Sequence, residues 1–153
     1  MNTFKFTLFF LCSLLFVAFA LSSLNCSGTM AFSNIGDQPI WGPTGYDRAD
    51  YYYIPDIDSY YSVSEHQYIY RNGSEWTHSA SLPSTYSNYD PYHSYKVVVN
   101  QDKPYQYNEN HRTTYGKFKG VKDQQVIRDS HDQKYFENKD HPEHDKWVRT
   151  HRN

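Results

Sequence analysis

Cysteine is nearly absent from this chain: two residues in 153, one of them, Cys12, inside the apolar run at the amino terminus. If that run is removed, only Cys26 remains and no internal disulfide can staple the product. Aliphatic side chains are scarce too. Across the middle of the chain they amount to Ile54, Ile57, Val63, Ile69, Leu82 and Val97 to Val99, far too few for an ordinary aliphatic core. Positive charge is not concentrated anywhere, and the formal net charge is −2. Phosphate recognition relies on clustered lysine and arginine, so nucleic acid is not an expected partner.

The signatures of chemistry are missing as well. Serines are plentiful and His66, His78, His93 and His111 lie in the central region, but no glycine-framed serine is present to form a nucleophile elbow. Asp56 and Asp58 share a face if the backbone is extended, yet a pair of acids beside Pro55 reads more simply as a solvated turn than as the paired carboxylates of a glycosidase. The chain is expected not to be an enzyme and to need no cofactor.

What is present begins with MNTFKF followed by TLFFLCSLLFVAFA, an uncharged apolar run shorter than the roughly 20 residues a membrane-spanning helix needs. It ends in Ala18-Phe19-Ala20, a small-x-small pattern suited to signal peptidase. Residues 1 to 20 are therefore expected to be a signal peptide, and the mature chain to be exported to the periplasm or outer envelope, or secreted. Cys26 is then an incidental thiol, a site for pairing with another chain, or a lipidation site. The preceding Ser23-Leu24-Asn25 fits the lipoprotein pattern poorly. Contact with a membrane is expected only if Cys26 carries lipid or the signal is retained.

Composition changes twice beyond the signal. Residues 21 to 46 are small, polar and punctuated by glycine and proline, and are expected to be a flexible linker. Residues 47 to 116 hold most of the 16 tyrosines and are the expected folded domain. Residues 117 to 153 mix acids and bases with His131, His141, His144 and His151, and are expected to be a charged tail, disordered or carrying one short helix. In that tail Asp140 could cap a helix with Pro142 in its first turn and Glu143 at the third position, displaying Trp147 and Val148. His141 and His144 form the best local pair of metal ligands, a weak one with no cysteine to assist.

The central region has the period-two, aromatic and β-branched pattern of strands. Strands are expected over Tyr51 to Ile54, Tyr60 to Val63, Gln67 to Tyr70, Trp76 to Leu82 and Tyr95 to Val99. The fold class is thus mainly β, a small antiparallel meander of four to five strands. Pro55 ends the first strand or confines it to an edge, Ser81-Leu82-Pro83 closes the fourth, and Asn72-Gly73 marks a tight hairpin. If Asn72 and Gly73 alone form the loop, Ile69 faces Trp76 and Tyr70 faces Glu75. A loop one residue longer sets Tyr70 against Trp76.

Tyrosine and tryptophan supply the bulk that aliphatics do not, burying rings while the hydroxyl stays at a wet rim. In Tyr51-Tyr52-Tyr53 and Tyr60-Tyr61 alternate rings point to opposite faces. One face is expected to form the core, the other to be exposed or to meet a partner.

The tyrosine run with proline at Tyr51 to Pro55, the pairs Tyr60-Tyr61 and Tyr68-x-Tyr70, the turn at Gly73, Trp76, Ser81 to Pro83, and Pro104, Tyr105, His111 and Tyr115 downstream form a spaced pattern. It resembles that of an uncharacterised family of small exported, tyrosine-rich envelope proteins of Gram-negative bacteria. The resemblance covers about half the chain; it implies export and a shared fold, and it brings no activity, cofactor or catalytic residue.

Two readings of function follow. In the first, the domain is a structural or interaction protein of the cell envelope, whose open sheet edge or exposed face meets another protein or a second copy of itself. In the second it is a carbohydrate or cell-wall binding module, with Tyr51, Tyr53, Tyr60, Tyr61, Tyr92 and Tyr95 stacking on sugar rings.

Overall fold

A computed structural model describes residues 32–151 of the chain. The expected signal peptide and Cys26 lie outside the described residues.

The architecture is a five-stranded antiparallel sheet with covering segments on both faces. Its strands are β1 (Tyr51–Ile54), β2 (Ser59–Ser62), β3 (Gln67–Asn72), β4 (Glu75–Ser79) and β5 (Val97–Val99), in the spatial order β4-β3-β2-β1-β5. The first four strands make the expected meander, and β5 returns to pair with β1 on its far side. Two helices follow, α1 (Asn108–Tyr115) and α2 (His144–His151). Among the described residues no helix is long and apolar enough to cross a membrane.

The turns explain the registers. The β1–β2 and β2–β3 connections each close with a residue at positive φ, Asp58 at 46° and His66 at 52°. Aspartate and histidine are among the residue types enriched in that left-handed region. The β3–β4 hairpin differs from both expected registers, because Asn72 pairs with Glu75 and the loop is Gly73-Ser74. Gly73 takes φ 63° at the first loop position while Ser74 stays negative, the pattern of a type II′ turn, which wants glycine first. Ile69 consequently faces His78, Tyr70 faces Thr77 and Arg71 faces Trp76. β4 also stops at Ser79, leaving Leu82 and Pro83 half-buried beyond its end.

Alternation along β1 and β2 sorts the rings onto two faces. On the first, Tyr52, Ile54, Tyr61 and Val63 pack with Ala49, joined by Trp41, Ile57, Tyr68, Tyr89 and Val98. The second carries Tyr53, Tyr60, Ile69 and Val99, joined by Tyr51, Trp76, Val97, Tyr105 and Tyr115. Neither face is open at the centre of the sheet: where one face is expected to be exposed or to meet a partner, segments of the same chain cover both. The reason lies in the flanking segments.

The first face is covered by residues expected to form a flexible linker. Trp41 lies edge-on to Tyr61 at 4.7 Å and to Tyr52 at 5.7 Å, and stacks parallel to Tyr68 at 6.2 Å. Tyr52, fully buried, donates its hydroxyl to Gln38 Oε1 at 2.8 Å. The expected solvated tail is also packed. Residues 40 to 44 run against 125 to 128, through an isolated bridge between Pro43 and Val126 and the bonds Ile127 N to Gly42 O at 2.9 Å, Arg128 N to Ile40 O at 2.8 Å and Thr44 N to Gln125 O at 3.1 Å. Ile35, Ile127 and Tyr135, with Ile40, form a third apolar cluster. Asn138 is buried there and donates to the carbonyls of Ile35 and Gln38. Each terminal segment is too poor in apolar residues to form a core alone, but together they make one.

The second face is covered by α1. The turn Pro104–Tyr107 runs straight into the helix and sets Tyr105 beside Trp76 and His78, with ring centroids 5.8 and 5.7 Å apart. His111 and Tyr115 then lie over Tyr53.

Candidate functional site

The densest polar cluster sits where α1 meets the β1–β2 hairpin. Asp58 accepts from Tyr53 Oη at 3.0 Å, from Asn108 Nδ2 at 2.8 Å and from Arg112 Nε at 3.1 Å. Tyr60 Oη bonds His111 Nδ1 at 2.9 Å, and Asn108 Nδ2 reaches the same hydroxyl at 3.4 Å. Burial holds the Tyr53 and Tyr60 hydroxyls well above the usual phenol range, aided at Tyr53 by its bond to Asp58, and pushes the His111 imidazole down. Tyr60, His111 and Asn108 are buried, while Asp58 and Arg112 reach the surface. The members of the cluster are partnered among themselves, and their effect is to fasten α1 to the sheet.

The expected ligand-binding tyrosines do not form a platform. Tyr53, Tyr60 and Tyr61 are buried core rings, and Tyr51 is half-buried among them. A sugar cannot stack on a ring that has no free face. Tyr92 has the Arg128 guanidinium over it at 4.1 Å, and Tyr95 lies parallel to Phe118 at 4.2 Å. The six positions are dispersed, and those nearest the surface already have partners on one face.

The expected metal pair is broken at His141. His141 is buried; its Nδ1 accepts from Glu143 N at 3.1 Å and its Nε2 donates to Ser130 O at 3.2 Å. Both ring nitrogens of a neutral imidazole are thereby used, which leaves no lone pair for a cation. His144 Nδ1 donates to Phe136 O at 2.7 Å. These contacts explain why α2 begins at His144 and not just after Asp140: the His141 side chain, bonded to Glu143 N, ends the preceding loop. Among the described residues no group of three histidine, cysteine or acidic side chains is arranged to hold a metal ion.

One buried cation stands out. Lys96 is 1% exposed and donates Nζ to Pro91 O at 2.6 Å. Burial lowers its amine to about 8, against the pull of Asp90 and Asp56. Its backbone is clasped by Gln124, whose Oε1 accepts from Lys96 N at 2.8 Å and whose Nε2 donates to Lys96 O at 2.9 Å. The carboxamide copies the pairing of a neighbouring strand, and so blunts the β5 side of the sheet next to Val97.

The opposite edge is different. β4 pairs with β3 on one side, and among the described residues no backbone hydrogen bond reaches it from the other. A two-residue hairpin loop closes on a hydrogen-bonded pair, so Asn72 with Glu75, Tyr70 with Thr77 and Tyr68 with Ser79 exchange main-chain bonds. The main-chain groups of Trp76 and His78 therefore point outward. Proline and lysine, which commonly protect edges, are both missing from Glu75-Trp76-Thr77-His78-Ser79. Around it, Arg71 lies over the Trp76 ring at 4.9 Å and His78 Nδ1 meets Glu65 Oε2 at 3.2 Å. Trp76 and Thr77 are half-buried, while Glu75 and His78 are exposed.

The sequence pointed to an open edge without saying which one. The usable signal lay in the breakers Ser81-Leu82-Pro83 just after β4, which send the chain off the sheet before another strand can be added. The Asp58, Asn108 and Arg112 cluster carried no local signal, because its members stand about fifty positions apart. No protein-family model, no curated protein and no solved structure matches the chain.

Proposed function

We propose that this chain is a non-enzymatic, exported protein of the cell envelope that acts as a structural or protein-interaction module, and that its contact surface is the outer edge of β4. The observation that carries this reading is that the outward N–H and C=O groups of Trp76 and His78, along the five-residue β4, have no partner among the described residues, while at the other edge a glutamine side chain pairs with Lys96 just before the three-residue β5. An edge of this kind is a template for another strand. The half-buried Trp76 beside it offers the aromatic anchor on which protein contacts concentrate.

The test is a photo-activatable amino acid placed at position 78 of the full chain in living cells, compared with the same probe at the exposed position 114 on α1. Protein adducts at 78 and not at 114, recovered with the envelope fraction, are expected. Equal adducts at both positions, or none at 78, would overturn the assignment.

A further inference from the structure

We infer that the strand completing the β4 edge comes from a second copy of this chain, in antiparallel register about a two-fold axis at Thr77. This rests on the interaction reading above and names its partner.

Self-pairing must satisfy three conditions at once: outward main-chain groups must oppose outward main-chain groups, side chains of like charge must not meet, and the two-fold operation must close the contact on itself. Only Trp76 and His78 aim their main chain outward. With Thr77 on the axis, Trp76 of each copy falls opposite His78 of the other, so both outward residues of each strand exchange N–H and C=O bonds with the partner. Centring on Trp76 or on His78 instead carries one outward residue past the end of the opposing strand, to Ser74 or Ala80.

The side chains agree with the same register. On the face carrying Ile69, the row across the seam reads Ile69, His78, then Trp76 and Arg71 of the second copy. Arg71 is already drawn over the Trp76 ring of its own copy, which engages its charge. On the opposite face Glu75 meets Ser79, and Thr77 meets its own copy. No like charges face each other, and aromatic rings meet imidazoles. The two sheets become one continuous ten-stranded sheet by doubling the observed five strands.

Thr77 against Thr77 is a non-hydrogen-bonded pair, whose Cβ atoms in antiparallel sheets lie about 4.5–5.5 Å apart. Thiols on such a pair come near the Cβ separation a disulfide spans. In the full chain carrying Cys12→Ser and Cys26→Ser, Thr77→Cys is expected to give a disulfide-linked dimer on non-reducing gels, and Thr114→Cys to remain monomeric. His78→Pro supplies the second arm. It deletes an outward donor and no bond to β3, so the near-ultraviolet tyrosine spectrum should be retained while light scattering falls from twice the monomer mass to once. Absence of the Thr77→Cys dimer, or a dimer that survives His78→Pro, overturns the pairing. If Thr77→Cys stays monomeric while the probe at 78 captures a different protein, the partner is wrong and the edge reading stands; if the probe captures nothing, both fall.

Discussion

Gly42 is where the packing of the amino-terminal segment can be tested with one methyl group. An ideal Cβ at this position would lie 2.5 Å from Tyr52 Oη, 2.9 Å from Pro39 O and 3.0 Å from Tyr52 Cζ. None of these neighbours can easily give way. Tyr52 is fully buried, its ring is walled in by Trp41 and Tyr61, and its hydroxyl is committed to Gln38. Overpacking of this kind costs about 1–3 kcal/mol. If the ring moves off, Gln38 Oε1 loses its donor in a buried place, for about another 1–3 kcal/mol. Gly42→Ala is therefore expected to destabilise the chain by about 2–6 kcal/mol, which at about 4 °C per kcal/mol lowers Tm by about 8–24 °C. Gly36→Ala is the control: it has open space around the new methyl and no positive φ, so its effect should stay within about 0.5 kcal/mol. Thermal unfolding followed by near-ultraviolet circular dichroism reads both. A Gly42→Ala chain as stable as its parent would mean that residues 38 to 42 do not lie on the sheet as described, and the two-faced core would have to be abandoned.

The buried Lys96 amine gives a prediction with a definite sign. Its folded value of about 8 lies below the ordinary 10.5, so the folded state binds fewer protons between those values and stability gains with rising pH across that window, the penalty being constant below it. The gain should appear as a difference between the parent and Lys96→Met, since tyrosine ionisation acts on both; parallel stability curves from pH 7 to 10.5 would refute it. Zinc should leave the Tm of the parent unchanged, because both His141 nitrogens are occupied; a zinc-dependent rise that disappears in His141→Ala would show that the imidazole is released.

The strands were legible because they depend on local chemistry. Tyr51–Ile54 is bounded as the alternation and Pro55 require, and Gln67 opens β3 where the pattern does. The hairpin at Gly73 was missed by a register for an equally local reason: Asn-Gly and Gly-Ser are both acceptable loops here, and the choice falls to whichever places Ile69 in the core, where it is fully buried. The terminal segments were misread because composition scores a stretch by what it could bury alone. Ile35 and Ile40 offer little, Ile127 and Tyr135 offer little, and only their long-range pairing makes a cluster. Tyr60 was misread on the same ground, its hydroxyl being taken up by His111 fifty-one positions on, whereas His141 is engaged by the nearer Ser130 and Glu143.

The pairing of the two terminal segments bears on how the polypeptide reaches its final state. Asn138 holds carbonyls 103 and 100 positions earlier in the chain, and Gly45 N donates to Tyr135 Oη across 90 positions. A ribosome must have released nearly the whole product before those clasps can close. Contacts so distant slow folding, and until they form the aromatic side under Trp41 is exposed to water. Loss of the last few dozen residues would thus strand a sticky intermediate rather than a shortened native form.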